Sequence, residues 1–166
     1  HMHLRLAIAA FTLALPALAQ DAPATTQAVK ERALSAIQKW RGFDGTWEGE
    51  LRYVAAPKEE WFKQRVPFKL IITNNQPKAY FRLGVRDWSE LGAAYQVHQP
   101  DRLTLVIHAY GAGGVWTENN VILLTRRSEN TAEVFVQRVV NNWAGDPKSG
   151  EDLIYGDTRA GKVERQ

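Results

Sequence analysis

From Gly45 to Tyr155 the chain consists almost entirely of short segments with a side-chain period of two, separated by turn residues, which restricts it to antiparallel β architecture. The first segment opens at Gly45-Thr46-Trp47-Glu48-Gly49, where Trp47, Gly49, Leu51 and Tyr53 alternate with Glu48, Glu50 and Arg52. In the second, Phe62, Gln64, Val66, Phe68, Leu70 and Ile72 share a face, and Pro67 on the other face bends the strand or marks an edge, because proline cannot donate to a ladder. Asn74-Asn75-Gln76-Pro77 reads as a turn, and Ala79, Phe81, Leu83 and Val85 continue the alternation. A hairpin follows, with Tyr95 opposite Leu105 and Val97 opposite Leu103.

The next hairpin carries the most information. A two-residue turn at Glu129-Asn130 sets Arg126 opposite Glu133, Leu124 opposite Phe135, Leu123 opposite Val136 and Trp116 opposite Trp143. No helical pattern separates the segments, so a meander is expected, and closing it into a barrel removes its edges. The expected fold is mostly β: an up-and-down antiparallel β-barrel of about eight strands preceded by one N-terminal α-helix. That helix begins at Ala28, with Val29, Ala33, Leu34, Ile37 and Trp40 on one side and Gly42 as its stop, and its expected role is a lid or plug on the barrel.

At 166 residues, with 45% hydrophobic and 23% charged residues, the chain has the length and composition of one globular domain. Its expected divisions are 1–19, a cloning residue plus signal peptide; 20–27, a flexible mature N-terminus; 28–158, helix plus barrel; and 159–166, a polar tail that frays. Arg5, the apolar run from Leu6 to Leu15 and the Ala17-Leu18-Ala19 cleavage pattern carry the signal-peptide reading. That run is far shorter than the roughly 20 residues that span a bilayer, so no transmembrane segment is expected in the mature chain and the location read is periplasmic or secreted. The absence of cysteine excludes disulfides and thiolate metal sites. A formal charge of +3, spread over scattered basic residues, gives no nucleic-acid footprint.

Gly45-Thr46-Trp47, preceded by Phe43 and opening the first strand after a helix, resembles the G-x-W entry motif of the lipocalin-like, or calycin, barrels, which include fatty-acid-binding proteins and avidins. The resemblance implies that Trp47 closes one end of a barrel and that an arginine from a late strand packs across it; Arg138 and Arg159 are the two positions considered for that arginine. Gly45, Trp47, Trp116 and Trp143 are read as structural.

Polar residues in phase with an apolar face are the candidates for ligand contact, since a buried polar group needs a partner. Gln64 lies between Phe62 and Val66, Thr117 and Asn119 belong to the face of Val115, Val121 and Leu123, and Arg138 lies between Val136 and Val140. The opposite assignment of faces brings Trp116, Glu118, Phe135 and Trp143 inside instead. His98 and His108 read as solvent-facing, Gly111-Ala112-Gly113-Gly114 lacks the context of a phosphate loop, and no hydrolase signature occurs, so no catalytic residue, metal or cofactor is assigned. The function expected is a periplasmic lipocalin-like binding protein for a small apolar or amphipathic molecule. The alternatives are a small-barrel or cone-fold enzyme of isomerase or hydratase type, and an envelope protein-binding or inhibitor module with a protein partner.

Overall fold

A computed structural model of the chain describes residues 26–38, 41–113, 115–142 and 154–166. The leader and Trp143 lie outside the described residues. One helix, α1 (Thr26–Gln38), precedes nine strands: β1 (Gly45–Ala55), β2 (Arg65–Thr73), β3 (Gln76–Phe81), β4 (Ser89–Glu90), β5 (Ala94–His98), β6 (Thr104–Gly113), β7 (Trp116–Arg126), β8 (Thr131–Asn142) and β9 (Ile154–Arg165). They form one antiparallel sheet in the order β4-β3-β2-β1-β9-β8-β7-β6-β5, curled into a half-barrel. Among the described residues the strands number nine and not eight, and the barrel stays open between β3–β4 and β5.

Alternation accounts for most of the inner face. Trp47, Leu51, Tyr53, Val66, Phe68, Leu70, Ile72, Ile107, Ile122, Leu124, Val134 and Val136 all point inward and are buried. On the outer face Glu48 pairs with Lys69 at 2.9 Å and Glu50 with Arg65 at 3.7 Å. The turn between β2 and β3 is two residues long, with Asn74 at φ 53° and Asn75 at φ 59°, the left-handed pair that suits a tight hairpin. The Asp44 carboxylate accepts from both of their N–H groups, at 3.0 and 3.1 Å.

Two expectations about the chain's ends are corrected. Residues 159–165 are not a fraying tail: they lie in β9, which is hydrogen-bonded to β1 on one side and β8 on the other. Charged residues at inward positions, Asp157, Arg159 and Arg165, hide the strand alternation there. The packing of β9 on β1 depends on two glycines, since a Cβ on Gly49 would come within 2.1 Å of the Lys162 carbonyl oxygen and one on Gly161 within 2.2 Å of that of Glu50. The helix α1, in turn, is not packed down as a lid. Val29 and Leu34 are more than half exposed, and Ile37 is half-buried. Among the described residues no helix is long and apolar enough to cross a membrane.

Register differs from expectation in both hairpins. In β5–β6, Val97 faces Ile107 and Tyr95 faces Ala109, because Asp101 holds a longer loop by accepting from the N–H groups of Leu103 and Thr104, both at 2.7 Å. In β7–β8 the ladder closes with Arg126 opposite Ala132, Leu123 opposite Phe135 and Trp116 opposite Asn142. The connection is Arg127–Asn130, held by the Ser128 hydroxyl accepting from the N–H groups of Asn130 (3.3 Å) and Thr131 (3.0 Å). This one-residue slip exchanges the faces of β7 relative to β8. Ile122 and Leu124 point inward, whereas Val121 and Leu123 point outward.

Candidate functional site

The half-barrel has two unlike ends. At the end where β1 begins, Trp47 is fully buried, its indole N–H donates to the Phe43 carbonyl at 2.8 Å, and the Arg165 guanidinium lies 4.5 Å from its ring centroid. Arg165 also donates to the Gly42 carbonyl at 2.6 Å. The arginine across Trp47 is therefore Arg165 of β9, and neither Arg138 nor Arg159. Gly45 allows this approach, since its φ of 136° is one that a side chain would strain, and Arg165 methylenes lie 3.4 Å from where a Cβ would be.

The other end gathers charge on the inner face. Arg138 of β8 makes a two-point contact with Glu118 of β7, Nε to Oε1 at 2.9 Å and Nη2 to Oε2 at 2.7 Å. Its Nη1 lies 3.6 Å from Oδ2 of Asp157. Asp157 in turn accepts from Arg159 Nη2 at 3.0 Å, while Arg159 Nε sits 2.8 Å from Oδ1 as an ion pair without hydrogen-bond alignment. Cross-strand register builds this row: Arg138 stands opposite both Asn120 and Asp157, and Arg159 opposite both Val136 and Tyr53.

Aromatic rings border the charges. Arg159 lies 4.8 Å from the Tyr53 ring and 4.9 Å from the Phe81 ring, a guanidinium covered by π faces. Trp61, on the short 3-10 helix Glu59–Lys63 after β1, stands 5.3 Å from Tyr53 and 6.3 Å from Tyr155, edge-on to the latter. Arg138 lies 5.6 Å from the Tyr155 ring. Asn120 is buried and donates to Glu118 at 2.9 Å, but its Oδ1 has no donor among the described residues.

Glu118 and Arg138 stabilise each other's charged form. Burial works against the Glu118 carboxylate, but hydrogen bonds and charge from Arg138 outweigh it and hold Glu118 below its ordinary value of 4.5. Burial likewise works against the Arg138 guanidinium, and the bonds to Glu118 outweigh that and hold it above its ordinary value. The inner face beneath the cluster is filled by Leu51, Val66, Phe68, Ile107 and Ile122. Depressions of about 420 and 290 Å³ lie on the outer face around β8 and β9, and one of about 200 Å³ lies at the Trp47 end.

Of the four expected ligand residues, the structure brings only Arg138 to this cluster. Gln64 is exposed ahead of β2, Asn119 is exposed and Thr117 half-buried on the outer face of β7. Trp116, 40% exposed, lies against Gly111 and Gly113 at the rim of the same end. Glu118 is within reach of the sequence only through the opposite face assignment, Arg159 only as a candidate partner of Trp47, and Asn120, Tyr155 and Asp157 are not singled out by it. His98 and His108 are both exposed. No family model, curated protein or solved structure matches the chain. The site therefore has to be read from its own chemistry. It offers fixed hydrogen-bond donors and an unsatisfied acceptor beside aromatic faces.

Proposed function

We propose that this chain is a calycin-like binding protein of the periplasm that seats a small amphipathic molecule across the charged end of its half-barrel. The single observation that carries the reading is the Glu118–Arg138–Asp157–Arg159 row, buried at Asp157 and Arg159 and half-buried at Glu118 and Arg138, with the unsatisfied Asn120 Oδ1 beside it and Tyr53, Trp61 and Tyr155 at its border. Withdrawing four charged groups from water in a small domain is costly unless they are paired, and replacing such pairs with apolar groups of similar volume is often at least as stable. A ligand that uses the row gives a reason for keeping it. Its acceptor group, a carbonyl or carboxylate, faces Arg138; its donor faces Asn120; its apolar part lies against Trp61 and Tyr155. Because the inner face below is filled, the ligand sits in the mouth and not in a deep cavity.

The calycin likeness is supported by Gly45-Thr46-Trp47 and by the late-strand Arg165 over Trp47. The enzyme alternative is less well supported, because a proton carrier needs a carboxyl poised near the working pH and Glu118 is held below its ordinary value. The protein-binding alternative rests on a different feature: the outer depression beside Leu123, Phe135 and Ala160, where Phe135 is 42% exposed. Trp88, a loop tryptophan that could anchor a protein partner, is half-buried between Lys69 and Arg82, at 4.6 and 5.2 Å.

Titration of the full chain with aryl carboxylates and aryl amides, followed by NMR of the indole N–H groups, tests the proposal. The Trp61 resonance is expected to move while that of Trp47 stays. Equal movement of every indole, or none, would contradict it.

A further inference from the structure

The connection that leaves the mouth end of β3 carries an exposed feature that the charged row does not use. Leu83, Gly84, Val85 and Arg86 form a closed turn, in which the Arg86 N–H donates to the Leu83 carbonyl at 3.3 Å and Gly84 takes φ 63° at the first central position. The Arg82 N–H donates to the Pro67 carbonyl at 3.1 Å and ties the base of the turn to β2. Geometry this closed holds the apex outward. Val85 is fully exposed there, and Leu83 beside it is 36% exposed.

Cations and an indole surround these two aliphatic side chains. Arg82 and Arg86 flank them, both exposed, against a single acid in the loop, Asp87. The Arg82 guanidinium lies 5.2 Å from the Trp88 ring, and neither arginine's side chain donates to a protein acceptor among the described residues. The neighbouring acids have other engagements, Glu48 with Lys69 and Glu90 with the Tyr95 hydroxyl. The 3-10 helix Glu59–Lys63 opens from the same end and adds Phe62, 47% exposed. A side chain at the apex of a tight turn stands proud of the surface, so a protein partner would need a pocket to receive it, whereas fluid lipid moulds around it. An aliphatic apex, flanking arginines and an adjoining tryptophan match the acyl boundary, the phosphates and the interfacial zone of an anionic bilayer.

We infer that the turn between Arg82 and Trp88 docks this protein on an anionic lipid surface, with Leu83 and Val85 entering the acyl boundary, Arg82 and Arg86 at the headgroup phosphates and Trp88 at the level between them. Because the turn is closed by its own hydrogen bond, little ordering is left to be lost on docking. Docking here does not depend on what the mouth binds, and the two stand or fall separately.

The chain has no cysteine, so Val85→Cys gives a single attachment point for an environment-sensitive fluorophore. With vesicles of equimolar phosphatidylcholine and phosphatidylglycerol its emission is expected to shift to the blue. The same label on Lys78→Cys, exposed on β3 near the opposite end, is expected not to shift. Co-sedimentation of the unlabelled full chain with these vesicles gives the affinity, which should fall with added salt. Arg86→Gln should lower it about fivefold, as loss of one cation at an anionic surface implies. Val85→Asp should lower it about tenfold or more, through the lost burial of an aliphatic side chain. Lys78→Gln, with the same change of net charge as Arg86→Gln, should partition as wild type. All three positions are exposed, and an unchanged urea midpoint checks that each variant keeps its fold. Equal binding to phosphatidylcholine alone, equal shifts of the two labels, or Arg86→Gln partitioning as wild type overturns the inference. A shift with native membranes that protein-free vesicles of their extracted lipid do not reproduce assigns the turn to a protein partner, and overturns it as well.

Discussion

Trp47 illustrates how a single residue can be legible while its partner is not. A tryptophan between Gly45 and Gly49 at the start of a strand points to a buried closure, and it is fully buried. Trp47→Ala should cost about 3–5 kcal/mol, read from the urea midpoint, since large aromatic truncations in cores do so. Arg165 was hidden because it lies in a charged C-terminal stretch that resembles a tail. Arg138 was legible from its place between Val136 and Val140, but its pairing with Glu118 changes what substitution does. Replacing Arg138 alone strands a half-buried carboxylate and should cost about 2–3 kcal/mol, whereas the double variant Glu118→Gln/Arg138→Gln should cost much less. Chemical denaturation of the single and double variants measures the difference. The pair also predicts acid sensitivity. A carboxylate depressed in the fold stabilises it above its unfolded value and loses that contribution as pH falls through the folded one. Wild type should therefore lose stability from about pH 4.5 downward, and the double variant should lose less in that window.

At the scale of elements, the alternation of β1, β2 and β3 was readable because most of their apolar residues keep to one face. β7 was not, because Val121-Ile122-Leu123-Leu124 offers apolar side chains to both faces and leaves the turn to decide the register. A four-residue connection built on Ser128 decided it against the two-residue reading. β9 was missed for the opposite reason, with charge where a core face is expected. Its central place makes a direct prediction: deleting residues 159–166 should abolish cooperative folding, seen by circular dichroism, where loss of a frayed tail would leave the transition unchanged. The open seam has its own signature. The Tyr95 hydroxyl accepts from Ala79 N–H at 3.3 Å and lies 3.1 Å from Glu90, joining β5 to β3 and β4 without a ladder. Tyr95→Phe should lower stability by about 0.5–1.5 kcal/mol, and hydrogen exchange should rise at Ala79 and through β5 while β8 and β9 keep their protection.

Seen as a whole molecule, the half-barrel has its two ends set by strand pairing between β1 and β9. Tyr53 opposite Arg159 builds the charged mouth, and Trp47 opposite Arg165 builds the closed end. The fold class was readable from alternation, and the openness of the barrel was not, since β4 and β5 are short strands whose edges are bridged by a side chain. The mouth was only partly readable, because an ion-pair row on β7, β8 and β9 needs register from three strands at once. The central claim is that this mouth seats a small molecule through Arg138. Native mass spectrometry of the full chain purified from the cells that make it tests this most directly. The account predicts an added small-molecule mass on wild type that is lost in Glu118→Gln/Arg138→Gln. A bare wild-type mass, or an adduct retained by the double variant, would contradict it.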